Sequence, residues 1–298
     1  MRWGDMRPSD NVEQRGGGGG GGGFPIGGGG MRLGGGAIIL IVVVSLIFGV
    51  NPMTILSSLD GGGGPVVTAP QQQPQQAQPK QSNEQRAAKD PAFDMVRRVV
   101  GDTEDVWGVL FKNMGAQYRP PKLAEFQGST RSACGMASAA SGPFYCPADQ
   151  QVYLDMAFFN ELSRRFGAPG DFANAYVIAH EIGHHVQNQL GTMDKFEAAT
   201  ARGDGRARNA MSVRLELQAD CYAGVWGYYA AKRNLLEPGD VEEGLRAAAA
   251  VGDDNITKGT VSPDKFTHGT AAQRTYWFRQ GMASGDPRKC NTFAVKEP

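Results

Sequence analysis

From Leu33 to Leu59 the chain runs through 27 residues without a charge, and Ala37 to Val50 is almost unbroken Ile, Val and Leu. At about 1.5 Å of rise per residue, some 20 apolar residues cross a bilayer. This run constrains the fold because it separates stretches of different composition. On its amino side, Gly16 to Gly23 and Gly27 to Gly30 offer almost nothing apolar to bury. Residues 1–30 are therefore expected to build no core, and residues 1–32 to form a flexible cytoplasmic tail. On its carboxyl side, residues 60–90 carry Gly61 to Gly64 and Pro65, Pro70, Pro74 and Pro79 among glutamines, a semi-extended linker. Residues 91–298, about 208 in all, suffice for one well-buried domain.

Residues 33–59 read as an uncleaved transmembrane anchor. About 30 residues precede the apolar run, and Ile55-Leu56-Ser57-Ser58-Leu59 is a poor cleavage site. Arg15 and Arg32 precede the run, whereas no Lys or Arg follows until Lys80. Positive-inside bias then predicts a single-pass protein of the bacterial inner membrane, its N-terminus cytoplasmic and residues 60–298 periplasmic or otherwise outside. The 30 basic and 30 acidic residues balance, which argues against a nucleic-acid partner. Cys134, Cys146, Cys221 and Cys290 include no CxxC pair, so a cysteine zinc knuckle is not expected. Outside the cytoplasm they would form two disulfides. Of three connectivities the favoured one is Cys134–Cys146, within a β region, and Cys221–Cys290, tying the tail to a helix.

The periods of residues 91–298 are mostly helical. Phe93-Met95-Val96-Val99-Val100 and Val106-Val109-Leu110 predict one or two amphipathic helices. A β region follows over 122–154, with strands at 142–146 and 151–154 around Pro147-Ala148-Asp149. Helices are then expected near 156–166, 171–190, 206–235, 240–251 and 269–282. A small sheet beside many helices is an α+β arrangement, mostly helical, here preceded by one transmembrane helix.

Helix 171–190 carries His180-Glu181-Ile182-Gly183-His184. At 100° per residue the two histidines lie 40° apart, one turn from each other, and both imidazoles can reach one ion at about 2.0–2.1 Å. Glu181 turns to a different side, where it can hold a water instead of the metal. His185 points roughly 100° away from His184 and is expected to be solvated. A catalytic zinc needs a third protein ligand and an open position. Glu216 on helix 206–235 is the candidate ligand, with Asp220 one turn on holding a ligand imidazole from behind.

The segments GPFYCPAD (142–149), HEIGHHVQ (180–187), ELQADCYAG (216–224) and HGTAAQR (268–274) resemble the bacterial neutral zinc metallopeptidase family. More widely, HExxH followed by ExxxD is similar to the gluzincins. The resemblance implies a zincin-like domain behind a membrane anchor, with Zn2+ on His180, His184 and Glu216, Glu181 as catalytic base and Asp220 behind the ligands. The chemistry expected is hydrolysis of a peptide or protein substrate by zinc-activated water. His268 is the candidate donor to the oxyanion. The strand around Val152-Tyr153-Leu154 is a candidate for pairing with an extended peptide. The alternatives are a zinc hydrolase of a non-peptide amide, such as a cell-wall linkage, and a non-catalytic module with structural zinc.

Overall fold

The computed structural model describes residues 1–15, 82–138, 141–201 and 204–298. Among the described residues no helix is long and apolar enough to cross a membrane. The expected anchor at 33–59, most of the expected linker and the glycine runs lie outside them.

A small sheet, a separate hairpin and a set of helices make the body. A four-stranded sheet has the order β1 (Val12–Gln14), β2 (Lys122–Phe126), β6 (Gln151–Asp155), β5 (Phe144–Cys146). β1 and β6 both run parallel to β2, and β5 is antiparallel to β6. A separate hairpin joins β3 (Ser129–Ser132) to β4 (Gly135–Ser138). The helices are α1 (Asn83–Ala87), α2 (Pro91–Asn113), α3 (Ala157–Arg164), α4 (Asp171–Gln189), α5 (Thr192–Thr200), α6 (Gly205–Lys232), α7 (Asp240–Ala250), α8 (Asp253–Ile256) and α9 (Ala271–Ser284). α4 is the central helix, packed by α2, α6 and α7 and touching β5. Helix boundaries fall within a few residues of the periodicity, and Gly191 (φ +71°) follows the last turn of α4. α1, α5 and α8 carry too few apolar positions to register in the pattern.

The main correction concerns the amino terminus. Residues 1–15 pack into the domain, with Met1, Met6 and Val12 all buried. β1 supplies one edge of the sheet, and Leu123 N–H donates to Asn11 O at 2.8 Å. α2 is shaped for this segment. Arg97 and Arg98 donate to the carbonyls of Ser9, Gly4 and Met6, and Glu104 accepts from Ser9 and Asn11. A Cβ on Gly101 would sit 2.1 Å from Arg7 O, so only glycine admits the chain here. The Met1 amino group lies 2.8 Å from Asp171 and 3.2 Å from Asp240, the first residues of α4 and α7.

These contacts correct the expectation that residues 1–30 build no core: β1 pairs with β2, and Asn83 Nδ2 donates to Val12 O at 3.0 Å, so residues 1–15 and 82–298 form one body. The expected fold class placed one transmembrane helix before the domain, and no described helix can be one.

Both disulfides have the favoured pairing, Cys134–Cys146 and Cys221–Cys290. The first ties the β3–β4 turn to β5, and the second ties the tail to α6. β6 lies between β2 and β5, so both its edges are used. The expected pairing of a peptide with Val152-Tyr153-Leu154 is therefore ruled out. Among the described residues the free edge beside α4 belongs to β5.

Candidate metal centre

α4 and α6 bring the candidate ligands together because the helices approach closely. A Cβ on Gly183 would lie 3.0 Å from Ala219 O and 3.2 Å from Ala219 Cα, so glycine at this position lets the backbones meet. Glu216, one turn before Asp220, then faces both histidines. Its Oε2 lies 3.2 Å from His180 Nε2 and its Oε1 3.5 Å from His184 Nε2. One ligand atom from each of the three lies within 4.8 Å of the others.

The other side of each imidazole is also held. His180 Nδ1–H donates to Asp220 Oδ1 at 2.9 Å. His184 Nδ1–H donates to Gln187 Oε1 at 2.9 Å, and Gln187 Nε2 in turn donates to Leu215 O and Gln218 Oε1. With both Nδ1 atoms used, both Nε2 lone pairs face Glu216. This is the arrangement metal-ligating histidines adopt. A donor set of two neutral imidazoles and one carboxylate fits Zn2+ and leaves a fourth position for water or substrate.

Asp220 is fully buried, which opposes its charge, yet its pKa is lowered by Arg274 and His180. Arg274 Nε and Nη2 reach its two oxygens at 2.9 Å each, and the Tyr176 hydroxyl donates to Oδ1. Burial disfavours a charged His180 as well, but the Asp220 and Glu216 carboxylates outweigh it and lift its pKa to about 9. Burial raises the Glu181 pKa. Glu216 is pulled below the usual carboxylate range despite burial, by His184, His180 and His268.

Glu181 and His268 line the cavity onto which His180, His184 and Glu216 open. His268 precedes α9, whose start is fixed by Thr270 and Gln273 in a capping box. Its Nδ1–H donates to Asp253 Oδ1 at 2.9 Å, while Asp253 Oδ2 accepts the backbone N–H groups of Thr267, His268 and Gly269. The structure thus gathers His180, Glu181, His184, Glu216 and His268 around one cavity, with Asp220 behind.

His185 corrects the expectation of a solvated side chain, since it is fully buried. α4 is covered on all sides, so its polar face has no solvent to reach. Burial lowers the His185 pKa to about 4. The neutral ring donates from Nε2 to Arg119 O at 2.7 Å and accepts at Nδ1 from the Tyr145 hydroxyl at 3.0 Å. Asn188 Nδ2 donates to the same Tyr145 oxygen at 2.8 Å.

Sequence reasoning missed Gln187, Asp253 and Arg274. Gln187 sits three residues after His184, a spacing that places it one turn away on the same face. Arg274 closes the HGTAAQR segment, six residues after His268. Asp253 carries no local signal, because only the return of the chain after α7 brings it under His268.

The model of the family described as "Putative neutral zinc metallopeptidase" matches residues 1–293, including the amino-terminal segment. The chain is 45% identical over 296 residues to the uncharacterized protein YpfJ of Escherichia coli K12, covering 98% of this chain and 99% of that one. It is 44% identical over 216 residues to the uncharacterized protein Rv2575 of Mycobacterium tuberculosis H37Rv, covering 67% and 71%. No solved structure matches.

Proposed function

The chain belongs to this family of neutral zinc metallopeptidases, and from that premise we propose that it hydrolyses peptide bonds at the cavity lined by Glu181 and His268. The observation that carries the reading is the convergence of His180, His184 and Glu216, each imidazole held at Nδ1, on the cavity that Glu181 also lines. His180, His184 and Glu216 would hold Zn2+, which when bound makes a water acidic and polarises the scissile carbonyl. A closed structural site would want a fourth protein ligand, whereas this cluster of described residues has three.

Glu181 accepts the proton of the attacking water and passes it to the leaving amine. Its raised pKa suits a group that must both take and return a proton. His268 gives its Nδ1–H to Asp253, which outweighs burial and raises the His268 pKa, so the imidazolium form has an Nε2–H to donate to the oxyanion as the carbonyl becomes tetrahedral. Asp220, Arg274 and Tyr176 act through His180 by fixing its ring. The Glu181→Gln protein should keep its fold and zinc yet lose hydrolysis by about 10²–10⁴-fold. Metal analysis beside a peptide-cleavage assay measures both, and full activity in that variant ends this reading.

A further inference from the structure

The two candidate ligand imidazoles are held from behind by different devices. Asp220, behind His180, accepts the Nδ1–H whichever way its carboxylate turns, because both oxygens are acceptors. Gln187, behind His184, is an amide with one accepting end and one donating end. A half-turn of that amide would aim N–H groups at His184 Nδ1. The ring would then carry its proton on Nε2, the atom that faces Glu216, and that nitrogen could not take a metal. The correct end of Gln187 has to be fixed toward the ring.

Two acceptors fix it. Gln187 Nε2 donates to Leu215 O at 2.7 Å and to Gln218 Oε1 at 3.1 Å. Gln218 is itself an amide, and its Nε2 donates to Cys290 O at 2.9 Å. A backbone carbonyl can only accept, so Cys290 O sets the orientation of Gln218. Gln218 and Leu215 O together set that of Gln187, which in turn sets the nitrogen at which His184 carries its hydrogen. Both amides are buried. A buried amide pair costs free energy that an apolar pair would not, and what it adds is direction.

Cys290 belongs to the tail of the domain, where Asn291 and residues 294–297 are exposed, so apolar burial holds the segment weakly. Its anchors lie on α6 instead. The Cys221–Cys290 disulfide leaves α6 three residues after Gln218, on the same face, so covalent bond and amide reach the tail side by side. Four residues before Gln218, Arg214 donates to the carbonyls of Thr292, Val295 and Lys296, and the buried Thr292 Oγ1 donates to Arg214 O at 2.6 Å.

We infer that Gln187, Gln218 and the disulfide-tied tail at Cys290 form a positioning relay for His184, so that full metal affinity requires the Cys221–Cys290 bond. The inference rests on the reading of His180, His184 and Glu216 as metal ligands and extends it to a segment far from them in sequence. Gln187 and Gln218 are positioning residues, since both act through His184. A chain whose Cys221 and Cys290 are free thiols keeps its three ligands but orients one of them poorly, and holds its metal less tightly.

Chelator-competition titrations of zinc on the whole chain test this, beside the visible spectrum of the cobalt-substituted protein, which reports ligand geometry. Gln187→Met should lower zinc affinity by about 10–100-fold. Gln218→Met, one link further out, should lower it by about 3–10-fold, because Leu215 O still holds Gln187. Cys221→Ser combined with Cys290→Ser should lower it by a similar factor and change the cobalt spectrum as Gln218→Met does. Adding Gln218→Met to that pair should deepen the loss by no more than about twofold, since all act through one relay. Cys134→Ser combined with Cys146→Ser, at the other disulfide, should leave affinity and spectrum as in the parent. If the Cys221 and Cys290 pair does not fold, Arg214→Met, which frees three tail carbonyls and keeps the disulfide, replaces it with the same expected loss. Parent-like affinity in Gln218→Met or in the tail variants, or losses that multiply on combination, would overturn the relay and leave the metal centre standing. A parent protein that holds no zinc, or holds it equally after Glu216→Ala, would overturn the centre itself.

Discussion

Residues 1–15 and the helix pair α4–α6 lie in one body, but different kinds of information hold them there. α4 and α6 announce themselves locally, through apolar positions every three or four residues and histidines one turn apart. The amino-terminal segment has no period. Its contacts with the rest of the domain reach residues some 70 to more than 200 positions away, such as Asn83, Glu104, Asp171 and Leu235. Its sequence looks like a tail because the complementary half of the design lies on α2. Glycine marks both close approaches, Gly183 against Ala219 and Gly101 against Arg7, yet only the first sits inside a recognisable motif.

The comparison predicts that the two regions fail separately. The largest effect belongs to the centre. Glu216→Ala removes one of three candidate ligands and should abolish zinc retention after dialysis while the amino-terminal segment stays packed. Metal content and limited proteolysis of the same sample check this. Zinc held like the parent protein would move the third ligand elsewhere, with His268 the first suspect.

Next in size is Gly101→Val. Its side chain cannot fit against Arg7 O, so the segment should be expelled and Met6 and Val12 lose their burial. A cost of about 2–5 kcal/mol follows from comparable losses of buried apolar side chains. Thermal unfolding should shift down, and residues 1–15 should become open to proteolysis. Zinc affinity should stay within about twofold, because no candidate ligand or its hydrogen-bond partner touches the segment. An equal loss of zinc would show that the Met1–Asp171 contact at the start of α4 couples the regions.

The same contrast explains what could be read from the sequence. The α+β class, the main helices and the ligand-bearing faces follow from periodicity. The second disulfide pairing and the Asp220 contact need only one assumption about which helices are neighbours. What escaped was set by the rest of the fold. His185 is buried because α4 is central, β6 loses its edge because β5 and β2 flank it, and Asp253 meets His268 through a return of the chain. The expectation that residues 1–30 build no core failed at residues 1–15 for the same reason: it rested on local composition, and the pairing of β1 with β2 outweighs it.

The smallest of these effects is the most discriminating. Asp220→Asn keeps the shape and can still accept the His180 Nδ1–H, but it removes the charge facing His180 and Arg274. Zinc affinity should fall by about 10–100-fold, the usual loss when the partner behind a ligand histidine is changed. The loss should depend on pH, with a definite sign. In the metal-free parent protein Asp220 helps lift the His180 pKa to about 9, so below that pH zinc must displace a proton. The variant loses that lift along with the basicity and orientation that favour the metal. Near pH 6 the two changes partly cancel. As pH rises toward 9 the parent's proton competition fades, and the full penalty of the variant appears. Chelator-competition titrations at several pH values should therefore show the gap between parent and variant widening with pH. A gap that narrows would mean that Asp220 acts through Arg274 and packing, not through the imidazole of His180.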